Sequence, residues 1–393
     1  MKQIDKIAII DADLIAKRKQ RFPNLALMKL SGYQKSIGNE VVLKLDYGEL
    51  SEFSHVFIGK VFTDSAVPEE VLTLSHVSYG GTGFFFDKAP NLPPEIEHSF
   101  PDYHLYDEFV KKRIAKGEKR INFKHFVGAS IGFLTRGCFR KCGFCVNKKY
   151  DSVFQASPLL EFWDKDRDYL IFLDDNFLAF GKWRELLTEV KATNKRFMFN
   201  QALDIRLLTD EKAKELATAK YYGDYTFSFD NIEERTVIEQ KFKLWREYCK
   251  KSTKLYLFCA YDREDKYDEA FWQRDVVDIF RRIEILMKYD CLGYVMRFEK
   301  YKESPCARLY TNIARWVNQP NFYKKVSYRE FCHKSQVLMK TDKVCAAMES
   351  LQEYEKKYPE LSFIFDTKYP ESPFTYDTKH VELSDHTGSS ILF

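Results

Sequence analysis

Residues 128–151 read G-A-S-I-G-F-L-T-R-G-C-F-R-K-C-G-F-C-V-N-K-K-Y-D, and the order of events in that stretch decides the fold. A short apolar run, ASIGFLT at 129–135, has the make-up of a buried strand. Gly137 follows it, and then Cys138, Cys142 and Cys145 arrive in the spacing C-x3-C-x2-C. Open α/β sheets place their ligands at the carboxyl ends of strands, which is where this loop falls. Three thiolates on one short loop can hold three irons of a cubane iron–sulfur cluster, leaving the fourth iron open to a cofactor or substrate. A structural zinc site needs four ligands, normally as two paired half-sites. No second C-x2-C exists, and His125 is the nearest upstream candidate. Inert thiols are a poor alternative, because three cysteines in a glycine-flanked loop make a poor core pattern.

Downstream of the loop the strand signal recurs. YLIFL (169–173), RFMFN (196–200), YTFSF (225–229), LYLFCAY (255–261) and LGYVMRF (292–298) are strand-like, and helical patterns such as 208–220 and 268–289 lie between them. Thr209 is a plausible N-cap for the first of these helices. Six strand–helix units of this spacing predict a curved parallel sheet, a partial (β/α)6 barrel over residues 125–300. After about residue 300 the pattern turns helical, and the segment from about Tyr376 is polar and expected to be poorly ordered.

Upstream, KIAIID (6–11), VVLKLD (41–46), HVFIGKVF (55–62) and LTLSHV (72–77) predict a small parallel, doubly wound sheet over residues 1–100. Glycines and prolines from Gly80 to Pro101 predict a loop, so residues 101–124 are expected to be a connector. The whole is thus an α/β chain of 393 residues: a small sheet domain, a connector, a partial barrel, and a mainly helical extension at 301–393 with a disordered tail. The net charge of +4 gives no electrostatic reason to expect nucleic acid. The first residues lack a secretory pattern, and no run approaches the length of a membrane span, so the expected compartment is the cytoplasm, with no membrane partner. Nine cysteines in such a chain argue against a disulfide framework. Cys306, Cys332 and Cys345 would be the first candidates for an auxiliary cluster, but they read better as small buried hydrophobes.

The loop from Ser130 to Cys145, with Phe144 just before the last cysteine, resembles the signature of the radical S-adenosylmethionine (SAM) superfamily. The surrounding S-I-G-F-L-T-R-G-C resembles the branch with a cobalamin-binding-like domain ahead of the barrel. That resemblance implies a [4Fe-4S] cluster on Cys138, Cys142 and Cys145, with SAM chelated at the open iron. One electron then cleaves SAM to methionine and a 5′-deoxyadenosyl radical that takes hydrogen from an organic substrate. It further implies a reducing protein such as flavodoxin or ferredoxin. The substrate, whether a small molecule, a nucleobase or a peptide, is not indicated. Cobalamin-dependent methyl transfer is the alternative within the superfamily, and a non-catalytic metal-bearing protein the alternative outside it.

The resemblance also points to residues for SAM. Asp174 or Asp175, after the second strand, would meet its amino group, and Arg206 after the third would meet its carboxylate. Ser228 and Asp230 after the fourth would meet the ribose, unless they cap the helix near Ile232. Backbone near Phe144 and apolar side chains of the last two strands would surround adenine. Gln201, Asp204 and Arg297 are candidates to face the cavity. Arg136, Arg140 and Lys141 put positive charge beside the cluster. Cobalamin itself is expected to be absent. The family's axial histidine stands in a D-x-H-x-x-G loop, whereas from Asp11 this chain reads D-A-D-L-I-A, with Asp13 at the histidine's place and Ala16 at the glycine's.

Overall fold

The computed structural model describes residues 4–17, 19–339 and 343–370. The tail from about Tyr376 lies outside the described residues. The chain divides into two compact units, Met1–Phe197 and Met198–Phe393.

The first unit begins with strands β1 (Lys6–Asp11), β2 (Glu40–Lys44), β3 (His55–Gly59) and β4 (Val77–Gly80), all parallel in the order β2-β1-β3-β4. Alternate residues of β1 enter separate cores. Ile9 joins Leu27, Met28, Tyr106 and Phe109, while Ala8 and Ile10 join Val56, Ile58 and Val71. Burial on both faces explains why this strand reads as a continuous apolar run, and each such isoleucine contributes roughly 1.5–3 kcal/mol. The doubly wound arrangement thus follows from the sequence pattern.

Two expectations need correction here. Residues 72–77 are not a strand: Glu69–Leu72 form a helical turn, and β4 starts at Val77, paired from Val56↔Val77 to Gly59↔Gly80. The apolar Val71 and Leu72 mislead because they pack inward from a helix rather than from a strand. The stretch from Gly80 to Pro101 is not all loop either, since Thr82–Phe85 and Pro94–Glu97 are helical. Beyond it, Asp107–Ala115 is a helix whose Phe109 and Val110 join Tyr103, Leu105 and Phe123 in the same core as Leu27. Residues 101–124 are therefore packed structure and not a bare tether.

Next come β5 (Ala129–Gly132), the short antiparallel pair β6 (Thr135–Arg136) and β7 (Phe154–Gln155), then β8 (Tyr169–Phe172) and β9 (Arg196–Phe199). A three-stranded sheet runs β5-β8-β9, and the division between the units falls within β9. Tyr103 tethers this region: its hydroxyl accepts the Ile131 N–H at 2.9 Å and donates to the Phe162 carbonyl at 2.6 Å.

In the second unit, β10 (Tyr225–Ser228), β11 (Thr253–Cys259) and β12 (Leu292–Arg297) form a parallel sheet in that order. A single parallel bridge, Leu203 to Phe227, leads into it. The six strands expected between residues 125 and 300 are present, as two separate sheets of three. Thr209 caps Asp210–Ala217 by accepting the Lys212 N–H, as the sequence predicts. Helices Ala307–Val317, Tyr328–Leu338 and Ala346–Lys357 follow, the second opened by a Ser327–Glu330 capping box. Among the described residues no helix is long and apolar enough to cross a membrane.

Candidate metal centre

The cysteine loop is held at its ends by residues that follow β8. Asp174 is buried and faces the turn between β5 and β6, where it accepts the Leu134 N–H at 3.1 Å, the Thr135 N–H at 2.7 Å and the Thr135 hydroxyl at 2.6 Å. Burial raises its carboxyl to about 7 against these donors. Asp175 clamps the loop itself. One oxygen accepts the Gly137 N–H at 2.7 Å, just before Cys138, and the other accepts the Asn147 side-chain amide at 2.6 Å, just after Cys145. Gly137 is required by conformation and by space: its φ is +93°, and a Cβ there would stand 2.1 Å from the Ser152 carbonyl oxygen.

Within the loop the sulfurs already meet N–H donors. The Arg140 N–H approaches Cys138 Sγ at 3.5 Å, and the Asn176 side-chain amide reaches the same sulfur at 3.3 Å. The Asn147 N–H reaches Cys145 Sγ at 3.3 Å. Burial pushes the Cys145 thiol up, and the Asn147 N–H works against that by favouring the thiolate. None of the three cysteines is in a disulfide, and all three are half-buried. Among the described residues no group of three or more His, Cys, Asp or Glu side chains converges as a single-ion site. His125 is buried elsewhere, its Nδ1 3.0 Å from the Tyr169 hydroxyl, with burial lowering its pKa to about 4.

The flanking charges are engaged. Arg136 lies 3.2 Å from Glu97, and Lys141 lies 2.8 Å from Asp151. The Arg140 guanidinium stands over the exposed Phe139 ring at 4.9 Å. Phe144 is half-buried.

The second unit holds the other sequence candidates. Arg206 pairs with Asp204 at 2.6 Å and also with Glu234, so its fork is already occupied by carboxylates. Burial raises the Asp230 carboxyl to about 6 despite the nearby Arg282 guanidinium, and Asp230 accepts the Phe258 N–H at 3.3 Å. Neither Ser228 nor Asp230 caps the turn at Ile232; Asn231 does, accepting the Glu233 N–H at 2.9 Å. Leu255, Leu257 and Val295 are buried, whereas Ser228, Tyr256 and Tyr294 stand in register along the other, half-buried face of this sheet. Arg297 donates to the Thr311 hydroxyl at 2.9 Å, and Gln201 is exposed. Of the other cysteines, Cys306 is half-buried and the remaining five are buried.

Neither Asn147 nor Asn176 is marked as a site residue by the sequence pattern. The position of Asn147, two residues past the last cysteine, was the one available signal for it.

No protein-family model matches the chain, and no curated protein does. Among solved structures, the radical SAM methyltransferase TsrM from Kitasatospora setae, with cobalamin and a [4Fe-4S] cluster bound, is similar with a TM-score of 0.50. The match has 13% identity and covers 75% of each chain. The cobalamin-dependent SAM radical enzyme OxsB, with aqua-cobalamin bound, is similar with a TM-score of 0.35 and 12% identity, over 75% of this chain and 49% of that one. At these identities the likeness concerns architecture, and the chain has the fold of a radical SAM enzyme.

Proposed function

We propose that this chain is a radical SAM enzyme that removes hydrogen from an organic substrate. Cys138, Cys142 and Cys145 would hold three irons of a [4Fe-4S] cluster. The observation that carries the reading is the fastening of their loop, with both ends on the Asp175 carboxylate and N–H donors on the sulfurs of Cys138 and Cys145. When bound, the cluster and SAM supply one-electron cleavage of SAM and removal of a substrate hydrogen atom. The chain's own part is to keep the loop rigid, present donors to the thiolates and bind SAM. A protein of flavodoxin or ferredoxin kind would deliver the electron near the exposed Phe139 and the basic Arg140.

Methyl transfer through cobalamin is the second reading, favoured by the fold likeness and by exposed rings at Phe62, Tyr79, Phe85 and Phe86. The residue at the axial position does not fit a cobalt ligand. Asp13 is buried, with the Val61 N–H at 2.7 Å, the Phe62 N–H at 3.4 Å and the Ser65 hydroxyl at 2.5 Å, so its oxygens are committed to the loop after β3. We derive no step through cobalamin.

Anaerobic reconstitution tests the main reading. About four irons per chain are expected, with dithionite-driven conversion of SAM to 5′-deoxyadenosine and methionine. Changing all three loop cysteines to Ala should abolish both; iron that survives the triple change sinks the assignment.

A further inference from the structure

Asn176 follows the Asp174–Asp175 pair and is only 3% exposed. Its side-chain nitrogen donates to Cys138 Sγ at 3.3 Å, while among the described residues its buried Oδ1 has no hydrogen-bond partner. A purely structural buried amide is normally satisfied at both ends. Here the bond recorded for the side chain is the one to a candidate ligand sulfur. The main-chain N–H of Arg140 approaches that sulfur as well, at 3.5 Å, so Cys138 lies between two donors.

An iron-bound thiolate has no proton to give, so only the NH2 end of an amide can face it favourably. Hydrogen bonds to cluster sulfurs set the reduction potential, because they favour the reduced, more negative state. Burial strengthens the effect by removing competing water. We infer that Asn176 is a positioning residue that acts through Cys138, donating to its sulfur so that the cluster accepts an electron more readily. The inference rests on the cluster-holding reading of the loop and adds a residue that tunes it.

Redox titration of the reconstituted full-length chain, followed by electron paramagnetic resonance of the reduced cluster, tests this. Asn176→Leu removes the donor at similar volume, and Asn176→Asp removes it while keeping the shape. Both variants should retain the wild-type iron content. Both should shift the one-electron equilibrium about tenfold toward the oxidised cluster, a potential about 59 mV more negative. A role in packing alone would leave the potential where it is. A fully loaded Asn176→Leu protein with the wild-type potential overturns the inference and leaves the reading of the loop standing. A wild-type chain that takes up no iron overturns the reading itself. If neither variant retains iron while the wild type does, Asn176 serves assembly of the cluster and the tuning role is wrong.

Discussion

A carboxylate that closes a loop and one that binds a ligand can look identical in a sequence, and Asp175 is the residue where the two readings part. The D-D-N run at 174–176, after β8, is visible in the sequence, and the family resemblance directs attention to the SAM amino group. The structure adds that both Asp175 oxygens already accept donors, from Gly137 and from Asn147. Those bonds join positions 28 and 38 residues apart, so no local spacing could announce them. Asp175→Ala should loosen the loop at both ends, and hydrogen bonds to a charged group are worth about 1.5–3 kcal/mol each. We expect that variant to lose most of its iron on desalting, with Asp175→Asn intermediate because an amide can accept only one of the two bonds. Full iron retention combined with SAM binding weakened about 10- to 150-fold, the same energy per bond, would instead make Asp175 a SAM ligand. The C-x3-C-x2-C spacing of the cysteines is a local property and can be read directly from the sequence.

At the scale of elements, legibility followed burial. β1, β5, β8 and the strands of the second unit were read close to their true limits because their buried residues make compact apolar runs bounded by breakers. β4 was misplaced because its sequence, VSYG, is only partly buried and carries little apolar signal. The first helical turn, Ala12–Ala16, shows how an element can store a pH response. Its N-cap, Asp11, accepts the Asp13 and Leu14 N–H groups and the Tyr106 hydroxyl. Burial raises its carboxyl to about 7, Tyr106 opposes that, and the neighbouring Asp13 charge adds to it. A raised carboxyl binds its proton more tightly in the folded chain than in the unfolded one. Its contribution is therefore complete below about pH 4 and is lost as pH rises toward 7, at up to about 1.4 kcal/mol per pH unit. Asp11→Asn should flatten this slope, seen as a smaller fall in urea midpoint between pH 4 and 7. His125, held neutral with a pKa of about 4, acts oppositely as pH falls, and subtracting the variant's curve from that of the wild type cancels it. Identical slopes in the two proteins would show that Asp11 does not titrate in this range.

For the whole molecule, packing does not follow the boundaries expected from sequence. Residues 101–124 read as a connector because they lack strand pattern, yet Tyr103, Phe109 and Phe123 are core residues, and aromatic burial by short helices leaves only a weak periodic trace. The same limit governs what the N-terminal sheet can bind. Its four-stranded parallel order matches a ligand-binding architecture, so fold alone leaves methyl transfer and hydrogen abstraction both open. Our proposal of hydrogen abstraction leans on the side chains at the carboxyl ends of its strands. Asp13, which stands where the resemblance would put the axial histidine, ties the helical turn after β1 to the loop after β3 through Val61, Phe62 and Ser65. Freeing it would strand a buried carboxylate and two main-chain N–H groups, a cost that cobalt would have to offset. Equilibrating the intact chain with hydroxocobalamin, then desalting and recording the visible spectrum, should leave no corrin absorbance, while 5′-deoxyadenosine is still formed without added cobalamin. Cobalamin retained near one per chain, with SAM-dependent formation of methylcobalamin, would reverse the choice. In that case the exposed rings of Phe62, Tyr79, Phe85 and Phe86 would be the surface to mutate next, because contacts alone would then be holding the corrin.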